Sequence, residues 1–314
     1  MPRHTALAFA AAMLWSAATY PAAARDLTVG ATRVLKLPSQ AATMAMAGDT
    51  IRIDPGTYAD CAVWHASHLV IEAAAPGVRL VDKVCADKGI FVVTGDDVTV
   101  RGISFEGAKA SWHNGAGIRG LGENLTVEDS RFVNNEDGIL TAGSPASIVR
   151  VTGSTFIGNG ACIGQCAHGI YAGTAIALLQ IEHSTFLGQH VGHHIKSRAH
   201  NTVVEDSRIE DGPTGNSSYL IDVPNGGNVL IQGNEMEKGP NSENRGVAIS
   251  IGVEGVTNWT DVLIIRNNRF RNDMGRRTTF VRNSTLTPAE VTNNTLTGPV
   301  TPLRGKGGIP LEGR

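Results

Sequence analysis

Five side chains able to hold anions or move protons recur at matching places in neighbouring segments of the chain. The run H-I-K-S-R at 194–198 alternates His194, Lys196 and Arg198 with other residues, and a period of two sends alternate side chains to one face of a strand. G-I-Y-A-G at 169–173 and L-I-D-V-P at 220–224 put Tyr171 and Asp222 in the place of Lys196. Together these groups supply what β-elimination in an acidic polysaccharide requires: a cation for the uronate carboxylate, a base for the neighbouring C–H and an acid for the leaving oxygen. Lys196, activated by Arg198, is the candidate base, and Tyr171 or His194 the candidate acid. The plainer alternative is a cross-strand Lys196–Asp222 ion pair on a solvated face, where it contributes about 1 kcal/mol or less.

The same place is taken by Arg119 in G-I-R-G at 117–120, Leu140 in G-I-L-T at 138–141 and Ser250 in A-I-S-I-G at 248–252. Arg119 and Ser250 are therefore candidate substrate contacts. Asn225, in the Pro-Asn-Gly-Gly run at 224–227, either hydrogen-bonds a sugar or supplies the positive φ of a turn, and the turn is the preferred reading. Trp64, Trp112 and Trp259 are sugar-stacking platforms if exposed and loop anchors if not.

A rival set is acidic. Glu128, Glu182 and Glu205 share one position of a second repeated strand, and on adjacent coils Glu182 and Glu205 would stand about 4.8 Å apart. Such a pair can bind calcium, or serve as the acid and nucleophile of a retaining glycoside hydrolase, where carboxyl groups lie about 5–5.5 Å apart. Solvated glutamates leaning away from each other are the plainer reading. His190, His193, His194 and His200 are close in sequence, but turns scatter their directions, which argues against a shared metal.

These residues must be positioned by a repeat. Its versions include V-T-V-R-G-I-S-F (98–105), L-T-V-E-D-S-R-F (125–132), V-R-V-T-G-S-T-F (149–156), L-Q-I-E-H-S-T-F (179–186), T-V-V-E-D-S-R-I (202–209), V-L-I-Q-G-N-E-M (229–236), L-I-I-R-N-N-R-F (263–270) and A-E-V-T-N-N-T-L (289–296). The third position is always Val or Ile, the last is Phe, Ile, Met or Leu, and from the second unit onward Ser or Asn stands two places before it. A constant core with elastic connections is the pattern of a solenoid whose turns stack like residues on like. Alternation of period two, with Gly or Asn at the bends and no helical pattern between, predicts turns made only of short strands. Ile118, Ile139, Ile170, Ile195, Ile221 and Ile249 should then point inward and the chemistry-bearing column outward. Ser130, Ser154, Ser184 and Ser207, continued by Asn234, Asn268 and Asn294, should form a ladder of mutually satisfied polar groups.

The composition agrees: 314 residues with 37 glycines, 41% hydrophobic, only 18% charged and 5% aromatic suit thin, turn-rich β architecture. A net charge of −2 argues against a nucleic-acid partner. Residues 1–24 read as a cleaved signal peptide: Arg3, an apolar run Ala6 to Ala18, then Ala22-Ala23-Ala24, too short to span a membrane. The expected location is periplasmic or extracellular, with no membrane span in the mature chain. Export allows Cys61 to pair with Cys85, about one repeat away, and Cys162 with Cys166 across a short loop. The remaining division is a cap and first coil at 25–60, the solenoid at 61–299 and a flexible tail at 300–314. Ser39 to Ala47 is expected to form an amphipathic helix over the open end.

On these residues the chain resembles the right-handed parallel β-helix proteins of the pectin-lyase-like superfamily over roughly residues 45–299, and G-D-T-I-R-I-D-P-G-T-Y at 48–58 looks like their first coil. The resemblance implies an all-β, single-stranded, right-handed parallel β-helix acting on a polysaccharide, with Lys or Arg in lyase roles, often together with calcium, although no cofactor is fixed by the sequence. The words H-x-I-K-S-R-A and S-Y-x-I-D-x-P-N-G-G resemble a subgroup of secreted bacterial β-helix proteins of unsettled activity. The Asn-Thr-Asp motif of polygalacturonases is absent, and His168-Gly169 and H-I-K at 194–196 are imperfect echoes of their other motifs. A lyase is therefore the favoured function. A non-catalytic carbohydrate-binding or export-scaffold protein and a glycoside hydrolase are the alternatives, and an epimerase would share the proton abstraction. The sequence fixes no oligomeric state.

Overall fold

The computed structural model describes residues 24–308. The segment read as a signal peptide lies outside the described residues except for its last residue. From Thr50 onward the chain coils repeatedly through three parallel sheets, the first with twelve strands and the other two with ten each. The coil is right-handed. Each strand pairs with its equivalent one coil away, as Leu125–Glu128 does with Val98–Arg101 on one side and Ile148–Thr152 on the other. The exception among the described residues is an antiparallel hairpin, Cys162–Ile163 with Gln165–Cys166.

The sequence columns become physical stacks. Phe105, Phe132, Phe156 and Phe186 lie nearly parallel inside the coil, with ring centroids 5.2, 4.6 and 4.5 Å apart, because parallel strands in register put like residues one strand spacing apart. The Ser and Asn column is buried and satisfies backbone. Ser130 N–H donates to Ser154 Oγ, and Ser154 and Ser184 repeat the bond to the next serine. Ser207 and Asn234 donate to Asn234 and Asn268 Oδ1 in turn. The residue just before each of these sits at the bend between first and second sheets with positive φ, as at Asp129 (48°), Gly153 (61°) and Asn267 (56°). That is why Gly, Asp and Asn recur there.

The N-terminal cap is a helix, Pro38–Met44, which ends before the expected Ala47 and packs against the strand Ala62–Trp64. Asp26–Val29 adds a strand ahead of Thr50–Ile53. The expected loose tail is corrected as far as residue 308. Val300–Gly305 continues the third sheet and Gly307–Gly308 the first, because Thr278–Asn283 and Ala289–Thr292 would otherwise be unpaired edges. Cys61 is bonded to Cys85, with Cα atoms 5.5 Å apart, and Cys162 is paired with Cys166. Among the described residues no helix is long and apolar enough to cross a membrane.

Candidate functional site

The third sheet carries the candidate site. Ile118, Ile139, Ile170, Ile195, Ile221 and Ile249 are all fully buried in the core, and this fixes which way their neighbours point. Arg119, Leu140, Tyr171, Lys196, Asp222 and Ser250 are successive register partners in one outward column. Facing outward does not leave them open to solvent. Lys196 is only 8% exposed and Asp222 1%, because the loop after Val247–Ile251 folds back over them with Glu254.

His194 is not part of this face. It precedes the strand Ile195–Ser197 at a corner, so strict alternation fails there, and its ring turns inward. It packs edge-on to Phe186, with Nε2 3.0 Å from the buried Asp211 carboxylate. Burial opposes ionisation of Asp211, yet pairing with His194 leaves its carboxyl at about 2. The outward imidazole is that of His193, which stacks on His168 with ring centroids 4.7 Å apart and packs at a tilt against Tyr219 at 5.0 Å.

This neighbouring column follows one bonding rule. The amide of His168 donates to Asp137 Oδ1 at 2.6 Å, that of His193 to His168 Nδ1 at 3.0 Å and that of Tyr219 to His193 Nδ1 at 3.1 Å. With Nδ1 accepting, each neutral imidazole carries its proton on Nε2. Burial holds both histidines neutral. His193 is pushed down to about 3, with Lys196 and Lys238 adding to the effect, and His168 also lies far below the ordinary histidine value. Neither ring has a free basic nitrogen, so each presents an N–H donor. Period two counted from the inward Ile139, Ile170 and Ile195 would send Asp137, His168 and His193 inward as well, so alternation gave no signal for this column, which the corner before each strand turns outward.

Charge converges beside this stack. Glu254 bridges two cations, receiving Lys196 Nζ at 2.9 Å on one carboxylate oxygen and Arg198 Nη2 at 2.5 Å on the other. Burial opposes its charge, but these two hydrogen bonds hold its carboxyl below the usual range. Arg198 Nε donates to the Tyr171 hydroxyl oxygen at 2.9 Å, and its Nη1 donates to Asn225 Oδ1. Asn225 thus positions Arg198, and its backbone carbonyl receives the amides of Thr257 and Asn258. The positive φ of this turn falls instead on Gly226 (72°) and Gly227 (104°), and at Gly227 a Cβ would come within 2.6 Å of the His200 carbonyl.

Below Glu254, Asp222 Oδ2 lies 3.6 Å from Lys196 Nζ and 3.5 Å from His193 Nε2, and neither of its oxygens has a hydrogen-bond partner. Burial pushes Asp222 up to about 6 against the pull of Lys196. Ser250 is fully buried beside it with its hydroxyl unpartnered, which corrects its expected role as an open substrate contact. Glu254 had no signal in the repeat, since it comes from a connecting loop 58 residues beyond Lys196.

The outer face is grooved. A cleft of about 330 Å³ is lined by Gln165, Cys166, His168, Tyr171, His193, Lys196 and Arg198. It continues past Tyr171 into one of about 510 Å³ reaching Trp112, Asp137, Leu140 and Ile163. The paired cysteines hold the hairpin that walls both. Arg119 lies one coil further on, half-buried, with Nε unpartnered. Trp112 and Trp259 are exposed, whereas Trp64 is buried.

Glu182 and Glu205 do stack in register, but on the first sheet, away from this groove. Gln180 Nε2 donates to Glu182, and Gln232 Nε2 to Glu205. Side-chain amides thus relieve the repulsion that suggested a cation. Among the described residues no group of three or more His, Cys, Asp or Glu side chains is placed to hold a metal ion.

The family model described as right handed beta helix region matches residues 149–313. No curated protein matches the chain. Among solved structures it is similar to an alginate lyase from Paenibacillus sp. str. FPU-7, at 14% identity over 90% of this chain and 99% of that one, with a TM-score of 0.45. It is also similar to a pectin methylesterase in complex with a hexasaccharide, at 10% identity over 88% and 80% of the two chains, with a TM-score of 0.35.

Proposed function

The chain belongs to the right-handed β-helix family, and from that premise we propose that it acts on an acidic polysaccharide laid across the coils of its third sheet, as a lyase. The observation that carries this reading is the carboxylate of Glu254 lodged between Lys196 and Arg198. Glu254 is 44% exposed on a loop, so a uronate carboxylate can replace it in a seat already shaped for that group.

In the proposed reaction Arg198 neutralises the uronate carboxylate. Lys196, released from Glu254, passes a proton to Asp222 and accepts the proton on the carbon bearing the carboxylate. The C–H electron pair becomes a carbon–carbon double bond, the bond from the β-carbon to the glycosidic oxygen breaks, and the Tyr171 hydroxyl protonates that oxygen. The His168 and His193 N–H groups serve as fixed donors to sugar hydroxyls.

The test incubates the protein with a panel of uronate polymers and follows ultraviolet absorbance of unsaturated ends together with product length. Absorbance should rise, fall about 10²–10⁴-fold in Tyr171→Phe and vanish in Lys196→Ala. Chain shortening without unsaturation would overturn the lyase in favour of a hydrolase. The engagement of both Lys196 and Arg198 by the Glu254 carboxylate favours a second reading, a carbohydrate-binding protein without turnover. Retained binding of an unchanged polymer would establish that one.

A further inference from the structure

Arginines on the outer faces of the coil are matched with carboxylates one coil away. On the first sheet Arg52, Glu72, Arg101 and Glu128 succeed one another in register and alternate in sign. Arg52 and Arg101 both reach Glu72, at 2.5 and 3.4 Å, and Arg101 also reaches Glu128 at 2.6 Å. On the second sheet Arg79 pairs with Glu106 at 2.6 Å and Arg269 with Glu235 at 3.6 Å. Opposite charges are favoured there because like charges directly across from each other repel. The third sheet breaks this pattern near its C-terminal end. Arg282 and Arg304 are register partners on adjacent coils, and they continue the column of Lys196, Asp222 and Ser250. Arg282 is half-buried and Arg304 exposed, and among the described residues neither takes part in an ion pair. Their surroundings add to the excess: residues 241–308 hold nine Lys and Arg against five Asp and Glu, whereas residues 25–240 hold sixteen against twenty-three. Two guanidinium groups stacked without a carboxylate between them suit an anion supplied from outside.

We propose that Arg282 and Arg304 form a second carboxylate seat, so that the acidic polymer runs from the Lys196–Arg198 cleft toward the C-terminal coils. This inference rests on the acidic-polysaccharide reading of that cleft. Arg282 lies three coils beyond Lys196 and Arg304 four, about 14 and 19 Å at the strand spacing, which a ligand of about five sugars bridges. Between the two seats Asp222 and Ser250 are covered, so this pair is the next cation that a carboxylate meets along the column. In the other direction the cleft beyond Tyr171 has no lysine or arginine in its lining, and Arg119 faces Asp137. Charge therefore gives the polymer a direction. The planar guanidinium fork fits a carboxylate, and two forks one strand spacing apart can share one.

Oligogalacturonates and oligomannuronates of three and seven residues, titrated calorimetrically at pH 7, separate the two seats. In at least one series the native protein should bind the heptasaccharide about tenfold more tightly than the trisaccharide. Replacing both arginines, Arg282→Ala with Arg304→Ala, should remove most of that gain and lower the salt dependence of heptasaccharide binding, while trisaccharide affinity stays within about twofold. Because the two charges repel, the double variant should melt no lower than the native protein at low salt. Weaker binding accompanied by a lower melting temperature would mean that these arginines serve the fold, which overturns the seat. A length gain that persists in the double variant also overturns it and leaves the acidic-polymer reading standing, and loss of that gain in Arg119→Ala would send the polymer the other way. Equal affinity for both lengths, abolished in Arg198→Ala, has the same meaning for the seat. Absence of binding to every oligosaccharide overturns both the seat and the reading beneath it.

Discussion

His193 lies face to face on His168, with ring centroids 4.7 Å apart and the His193 amide donating to His168 Nδ1 at 3.0 Å. Two imidazoles can stack this closely at the edge of a core only while both are neutral. With Nε2 of each already carrying its proton and Nδ1 accepting the next coil's amide, a second proton would have to go on Nδ1, breaking that hydrogen bond, and would put two positive charges against each other and against Lys196. The stack therefore ties stability to pH.

The folded value of His193, about 3, is below the 6.5 of an unfolded histidine. Between these values the unfolded chain holds the extra proton, so this residue costs stability as pH falls from 6.5 toward 3. In His193→Asn the side-chain oxygen can still accept the Tyr219 amide. Melting temperatures at pH 7 and pH 4.5 should show a smaller acid loss in the variant than in the native protein. Equal losses would refute the assignment.

Asp137 has the opposite sign. Its folded value of about 8 exceeds the unfolded 3.8, so the folded state keeps a proton that the unfolded chain releases, and stability declines as pH rises from 3.8 to 8. Asp137→Asn keeps an acceptor for the His168 amide without the ionisation. It should melt several degrees higher than the native protein at pH 8, and the gap should shrink at pH 5.

Glu254→Gln empties the seat between Lys196 and Arg198 of its negative charge. Because Glu254 is on an exposed loop, the cost in folding free energy should stay below about 1 kcal/mol. Affinity for an acidic oligosaccharide, measured by calorimetry, should rise about fivefold to tenfold, with a steeper salt dependence. Weaker binding would mean that Glu254 holds the two cations in place for the ligand rather than competing with it.

The two cysteine pairs should separate stability from groove shape. Cys61–Cys85 closes a span of 24 residues in the solenoid wall, and replacing both with serine should cost about 3 kcal/mol in denaturant unfolding. Cys162–Cys166 spans only 4 and holds a hairpin outside the coil. Its double serine variant should lose less stability, about 2 kcal/mol or under, but should weaken oligosaccharide binding because Ile163 and Gln165 wall the groove.

The fold was legible because a solenoid writes its architecture locally. Val127, Val151 and Ile181 recur in one column and Phe132, Phe156 and Phe186 in another, since each coil meets only its neighbours and like residues pack on like. The same periodicity placed Tyr171, Lys196 and Asp222 in one outward column. It failed at His194, where the chain enters the strand through a corner and the ring turns toward Phe186 and Asp211. The tail also misled, since the glycines near 305 suggested looseness while the open edges of two sheets drew residues 300–308 into strands.

The sequence by itself determined the coil, its inward columns and the row of chemistry-bearing side chains, because these depend on a period of two and on residues one repeat apart. Only the tertiary structure decided what those side chains do. Glu254 reaches Lys196 and Arg198 from a connecting loop, Asn225 leaves the positive φ of its turn to Gly226 and Gly227 and supports Arg198, and Ser250 and Asp222 are covered although they face outward. Loops of irregular length obey no repeat, and the electrostatics of a buried group depend on everything packed over it.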